Sequence, residues 1–372
     1  MKIVKLDSNK LLLIIILFIL FRPEFFKYTN LDMFFDIARV LIFILISLKY
    51  ILSKKVSNLF FYTIFIWGIF NLFCFINDTW TFNVFINFCL NIAVVMLVEL
   101  YRNKQRTLDD SLEYILYIFA IFNILTILLG YEPEKQFLGF DNDIGMRVIP
   151  LIGSYIYLKY YLYNKLTRSC IFVLCLYALN FILTWSVTPF LTLVLFYLAI
   201  KFKDCKNYLS SRKIIFISIF VFFCLYYLKV QNLFSFILVN LLHKDLTLSY
   251  RTYIWESVIG AIKYHPIVGF GNIMNSTIYY ELAYFKYYAS IAPHNIFLYF
   301  LASGGVIGLS LFVKYILYCF KDIDKNKKSV LCKIAIYTLF AYMFCGITSS
   351  YYAIEYLLFF LATVKTFYRK EY

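Results

Sequence analysis

Between Ser249 and Gly308 the chain collects the residues best suited to chemistry. S-Y-R-T-Y-I-W-E (Ser249 to Glu256) sets Arg251 four residues before Trp255, and H-P-I-V-G-F-G (His265 to Gly271) follows. A-P-H-N-I-F-L-Y-F-L-A-S-G-G-V-I-G (Ala292 to Gly308) closes the stretch. All three histidines of the chain, His243, His265 and His294, lie in it or just before it. Arginine offers a planar, permanently charged fork that matches phosphate oxygens in pairs. Histidine titrates near neutrality and takes a hydroxyl proton as a general base. Pro293 suits the first turn of a helix, which sets His294 and Asn295 at a helix N-terminus, where exposed N–H groups favour an anion. Arg251 and His294 therefore read as an anion-binding and proton-accepting pair.

Each residue also has a plainer reading. His294 fits a polar helix-start residue at an interface, Arg251 a lipid-headgroup contact and Trp255 an interfacial anchor. His265, before Pro266, fits a structural turn.

The elements that must position these residues are membrane helices. Of 372 residues 63% are hydrophobic and the mean hydropathy is +0.76, against roughly 45–50% apolar in a soluble domain. A spanning helix needs about 20 mostly apolar residues. Such runs fall near 11–28, 33–52, 58–77, 81–100, 112–130, 146–163, 169–185, 187–201, 213–231, 293–318, 329–349 and 351–368. The expectation is an all-α integral membrane protein, one polytopic membrane domain over 1–372 with about twelve transmembrane helices. Residues 232–292, between the ninth and tenth runs, form a large loop carrying short amphipathic helices.

The net charge of +15 follows from topology rather than from nucleic-acid binding. Lys and Arg recur in alternate loops, as at Lys49, Lys54 and Lys55, at Arg102, Lys104 and Arg106, at Lys159, Lys165 and Arg168, and at Lys321 to Lys328. Cytoplasmic loops carry that excess, so both termini are expected in the cytoplasm and the 232–292 loop outside it. Within the loop, Ser249 is a candidate N-cap for a helix through Tyr264. Arg251, Trp255, Val258 and Ile262 share one side, as on a helix lying apolar side down on the membrane. Tyr279, Tyr280, Tyr284, Phe285, Tyr287 and Tyr288 make an aromatic ledge, either an interfacial belt or a ligand surface.

Charges inside spans are costly and often functional. Asp36 and Arg39, three apart, read as a structural bridge. Arg147 pairs with Asp141 and Asp143 or binds phosphate. Glu355, in the outer half of the last span, either reaches the reactive cavity or supports a residue that does. Gly304 and Gly308 form a G-x-x-x-G packing face.

In order, spacing and topological side, these pieces resemble the bacterial O-antigen polymerases and O-antigen ligases. The resemblance rests on Arg251 to Trp255, Pro266 to Gly271, His294-Asn295 followed by Leu298, and the small run Ser303-Gly304-Gly305 with Gly308. It covers about sixty residues closely and the rest through span count and loop position. It implies glycosyl transfer at the outer leaflet of a bacterial plasma (inner) membrane, from a glycan linked through pyrophosphate to a polyprenol, with no cofactor and no metal. Arg251 and His294 would be catalytic, with Arg147, Asn295, Trp255, Tyr284, Tyr287 and Glu355 binding substrate. Membrane lipids and a chain-length regulator protein are the further partners implied. Many relatives carry Ser-Arg where this chain reads Trp185-Ser186-Val187-Thr188-Pro189. Either that charge is dispensable, or Arg147 or Arg39 replaces it.

The expected activity is polymerisation of surface polysaccharide repeat units (O-antigen or capsule), with ligation to lipid A core as the alternative. A transporter of lipid-linked oligosaccharide is the rival from another class. Transporters set their charges at the midplane on broken helices, whereas the polar residues here concentrate in one late loop.

Overall fold

The computed structural model describes residues 7–53, 56–201, 209–236, 250–283, 292–325, 329–349 and 354–368, without the side chains of 141, 142 and 234. Among these residues there are fourteen α-helices and no strand. They are α1 (Ser8–Leu20), α2 (Asp32–Leu52), α3 (Asn58–Ile76), α4 (Phe82–Leu100), α5 (Gln105–Leu128), α6 (Asp141–Tyr163) and α7 (Arg168–Leu183). Then come α8 (Val187–Lys201), α9 (Ser211–Tyr226), α10 (Arg251–Ile262), α11 (Thr277–Ala283), α12 (Ile296–Phe320), α13 (Val330–Gly346) and α14 (Ile354–Thr366). Each of the twelve apolar runs contains one helix, and the remaining two, α10 and α11, lie in the long loop. Four helices, α3, α4, α5 and α12, are long and apolar enough to cross a membrane by length and composition.

Local chemistry sets the helix ends. Ser57 and Ser329 accept bonds from the N–H groups of Phe60 and Leu331, both at 3.1 Å, satisfying donors that a helix start leaves open. The first run ends earlier than expected. α1 stops at Leu20, and a short 3-10 turn takes up Glu24–Tyr28. Proline at 23 is the reason: it has no N–H for the ladder and disfavours helical geometry at Arg22.

Helix α6 is the hub, packed on α5, α7, α8, α13 and α14, while α12 packs on α3, α9, α10 and α14. A charged group lies inside this bundle. Lys159, placed by its sequence neighbours among the inner-loop cations, is only 7% exposed. Its Nζ sits 2.9 Å from Asp109 and 2.8 Å from Glu113, the pairing a buried ammonium requires.

The feature that positions the site is a break in α12. Gly305 has φ 60 and ψ −160 in the middle of the helix, and the loop after α10 threads against the break. Phe270 N–H donates to Ala302 O (2.7 Å) and Gly271 N–H to Ser303 O (3.0 Å). In the other direction Val306 N–H donates to Pro266 O (2.8 Å) and Ile307 N–H to Ile267 O (3.3 Å). Backbone groups freed inside an apolar bundle must find partners, and these four bonds supply them. The approach requires glycine. A Cβ on Gly269 would lie 2.6 Å from Ala302 O and Gly304 N, and one on Gly305 would run into the backbone of Ile267. The G-x-x-x-G pair is a packing face, since Cβ atoms at Gly304 and Gly308 would meet the Phe70 ring at 2.8 and 3.0 Å.

Helix α10 differs from the expected membrane-surface helix. Ile254, Trp255, Val258 and Ala261 are buried in a cluster with Leu298 and Ala302 of α12 and with Phe222 and Tyr226 of α9. The apolar side is covered by protein. Sequence periodicity registers an apolar face but does not distinguish lipid from a neighbouring helix as its cover.

Candidate functional site

Arg251 is the first residue of α10 and half-buried. It follows Tyr250, whose φ of 64 is left-handed. The expected cap, Ser249, lies outside the described residues, as do His243, Tyr284 and Tyr287. His294 also has a left-handed backbone, φ 49, uncommon for a residue with a side chain and costing of order 1 kcal/mol or more. Two neighbours hold it there. Trp255 Nε1 donates to His294 O at 3.3 Å, and Trp255 is itself fully buried, edge-on to Phe222 with ring centroids 5.1 Å apart. On the other side Asn295 caps α12. Its Oδ1 accepts from Phe297 N–H (2.9 Å) and Leu298 N–H (3.0 Å), and its Nδ2 donates to Ile347 O (3.3 Å). The helix therefore begins at Ile296, three residues after Pro293.

Burial, and behind it the Arg251 guanidinium, push the His294 imidazole down to about 4. A low dielectric and a nearby cation both disfavour the protonated ring. At neutral pH His294 is thus uncharged, and Arg251 is close enough to be felt by it. A fixed cation beside a neutral imidazole, the cation at a helix N-terminus, can hold an anionic leaving group and take a hydroxyl proton.

The other sequence-derived candidates fall in different places. His265 packs its ring, tilted by 52°, on Phe270 with centroids 4.6 Å apart in the loop that threads α12, a structural position. Tyr279 is fully buried against Phe270, while Tyr280 of the expected ledge is exposed. Arg147 is 3% exposed on α6, and its Nη2 is 2.5 Å from Glu24. It also donates to Leu138 O. Its expected neighbour Asp143 accepts from Ser349 Oγ at 2.7 Å, and the Asp141 side chain lies outside the described ones. Burial alone would raise the Glu24 carboxyl, but Arg147, Lys27 and Arg22 outweigh it and hold it below its ordinary value. Arg39 caps the end of α1, donating to Ile19 O (3.2 Å) and Leu20 O (3.3 Å), with Asp36 at 3.9 Å. Arg22 bonds both Asp32 and Asp36.

Glu355 lines a cavity of about 380 Å³. Tyr299, Phe300 and Ser303 of α12 form one wall and Asn87 and Asn91 of α4 another. Gly271 and Asn272, at the end of the threading loop, close it from the third side. The same Pro266–Gly271 turn thus ties the α10 region to this cavity. Its asparagines were not singled out from the sequence, although Asn83, Asn87 and Asn91 recur every four residues, a polar stripe on one face of an apolar helix.

An all-helical membrane protein with an arginine–histidine pair brought together by a late loop is the class that emerges. Residues 170–313 match the family model described as O-antigen ligase (Wzy_C). The match supports the O-antigen ligase/polymerase family, a glycosyltransferase-like class acting on lipid-linked oligosaccharides in membranes. It spans Arg251, Trp255, the His265–Gly271 turn, His294, Asn295 and the α12 break, and leaves Arg147 and Glu355 outside. No curated protein matches the chain.

Proposed function

We propose that the protein polymerises surface polysaccharide by transferring a glycan from a polyprenyl-pyrophosphate donor to a lipid-linked acceptor at the outer leaflet of the inner membrane. The observation that carries this reading is the docking of α10 on α12 through Trp255 and the His294 carbonyl, with Arg251 near enough to depress the imidazole. The acceptor hydroxyl oxygen attacks the anomeric carbon while the bond from that carbon to the pyrophosphate oxygen breaks. The electron pair leaves with the polyprenyl pyrophosphate, whose charge Arg251 and the start of α10 receive. The hydroxyl proton goes to neutral His294. Neither step calls for a metal or a cofactor. Twelve spans with both termini cytoplasmic put this pair on the outer side, and a chain-length regulator would act from there.

Ligation to a lipid A core is the second reading, favoured by the description of the matching family. Polymerase is preferred because the motif is sparse and lacks the Ser-Arg of many relatives, as divergent repeat units would demand. The test is purified protein in detergent with lipid-linked repeat units, without ATP, a membrane gradient or added metal. A lengthening glycan ladder is expected from repeat units alone. Product only when lipid A core is supplied turns the assignment to ligase, and flipping in liposomes with no longer glycan turns it to transporter. Arg251→Lys keeps the charge but loses the fork, so donor binding weakens. His294→Ala spares donor binding and slows transfer by about 10²–10⁴-fold.

A further inference from the structure

The 380 Å³ cavity is separate in character from the Arg251–His294 pair. Among the described residues no Lys, Arg or His lines it, so a pyrophosphate there would find no cationic partner among them, a heavy cost in a low dielectric. Its polar groups are the amides of Asn71, Asn87, Asn91 and Asn272, the hydroxyls of Tyr299 and Ser303, the Trp67 indole and the Glu355 carboxylate. Asn91 is 9% exposed, and among the described residues the side-chain amides of Asn87 and Asn91 make no hydrogen bond to protein. Asn87 is exposed toward the cavity side of the same helix face, whereas a buried amide such as Asn91 in an apolar helix is costly unless a ligand or water pairs with it. Aromatic faces supply the remaining walls, with Trp67 stacked on Phe70 at 5.3 Å and Phe300 edge-on to Phe70 at 5.5 Å. The volume falls within the roughly 300–1,000 Å³ of small-molecule sites.

Amides that donate and accept, a carboxylate acceptor and flat apolar walls suit the hydroxyl rims and C–H faces of a pyranose. We propose that this cavity is a saccharide subsite that takes neutral hydroxyl- and acetamido-bearing sugars and refuses carboxylate-bearing ones. It rests on the glycosyl-transfer reading in one respect, that the sugar belongs to the donor or acceptor glycan. An acidic sugar would bring an anion beside Glu355, to walls whose described residues carry no cation. The threading loop makes the subsite conditional on the α12 break, because Phe270 and Gly271 are bonded to Ala302 O and Ser303 O, and Asn272, next in the chain, is held by its N–H to Thr79 Oγ1 at 2.9 Å.

The test uses the full chain in detergent, titrated with diacetylchitobiose, cellobiose and maltose as neutral probes and a glucuronate-containing disaccharide as the acidic one. Calorimetry and saturation-transfer NMR read binding. At least one neutral disaccharide is expected to bind, with the acidic one weaker by tenfold or more. Asn91→Leu is expected to weaken neutral binding at least tenfold, with Asn87→Leu as the second variant should the first fail to fold. In the ladder assay, a raised KM for acceptor in Asn91→Leu assigns the sugar to the acceptor glycan, and a raised KM for donor assigns it to the donor glycan. The subsite is overturned if no neutral disaccharide binds at millimolar concentration, if the folded variants bind like wild type, or if the acidic probe binds as tightly. Failure of these arms with the glycan ladder intact removes the subsite alone. Saccharide binding without any ladder removes the transfer reading and leaves the subsite standing.

Discussion

The indole N–H of Trp255 donates to the backbone carbonyl of His294 across 3.3 Å, joining residues 39 apart in the chain. The bond fixes the α10 start, which carries Arg251, against the turn that carries His294 in its left-handed conformation. Trp255, read from the sequence as an interfacial anchor or a substrate contact, acts in the structure on the position of His294.

Removing that bond while keeping an aromatic ring separates positioning from packing. Trp255→Phe loses one neutral hydrogen bond, worth about 1 kcal/mol, and glycan transfer is expected to fall by about fivefold to tenfold with donor affinity retained. The check is ladder formation against lipid-linked donor binding at matched expression. Unchanged transfer in a folded variant would return Trp255 to a packing role.

The imidazole at about 4 sets a direction for pH. Transfer that needs neutral His294 holds from neutral pH down to about pH 5, and kcat/KM falls along an acid limb near pH 4. Arg251→Gln removes the cation that disfavours the imidazolium, so the limb moves to higher pH in the residual activity, partway because burial is the larger cause. Stability follows the same sign. A histidine whose folded value lies below its ordinary 6.5 refuses a proton that the unfolded chain accepts. Its contribution is complete above pH 6.5 and is lost as pH falls toward 4. Thermal melting between those limits is the measurement, and His294→Gln should flatten it.

The threading of the late loop through α12 predicts which glycines matter. Gly269→Ala places a Cβ 2.6 Å from the α12 backbone and on a φ of 66, and no flexible side chain is available to give way. Loss of folded protein is expected, by several kcal/mol on the scale of overpacked cores. Gly260→Ala meets nothing within 4 Å and serves as the control, expected to stabilise α10 slightly. Fluorescence size-exclusion profiles of the two variants test the contrast.

How far the sequence reached depends on the range of the interaction concerned. The twelve apolar runs and the Arg251, Trp255, His265–Gly271 and His294-Asn295 pieces are local patterns, and hydropathy, turn residues and caps act locally. The break at Gly305 was only a small-residue run, because the groups that fill it come from Pro266 to Gly271, over thirty residues earlier. Lys159 resembled a loop cation because its neighbours in sequence, Lys165 and Arg168, are of that kind. Its acidic partners Asp109 and Glu113 sit on another helix. Arg147 was matched to Asp141 and Asp143 by proximity in sequence, and the structure adds Glu24, 123 residues away. Pairing between distant segments leaves no periodic trace in one sequence.

The Arg147–Glu24 pair provides the last prediction. Arg147 and Glu24 side chains are 4% and 15% exposed, so each charge depends on the other for the cost of leaving water. Breaking such a pair from one side destabilises by about 3–5 kcal/mol, while replacing both by apolar groups of similar volume is often neutral. Glu24→Met and Arg147→Met should therefore each lower the melting temperature, and the double variant Glu24→Met/Arg147→Met should recover most of the loss. Lys27, 2.8 Å from Glu24, leaves Glu24 a weaker partner in Arg147→Met, so that variant is expected to be the more tolerable single change. Activity separates structure from substrate binding at this position. If Arg147 is the charge that stands in for the missing Ser-Arg, the double variant recovers its melting temperature and not its donor affinity. If it recovers both, Arg147 is a structural cation that fastens the turn after α1 to α6, and donor recognition is left to Arg251.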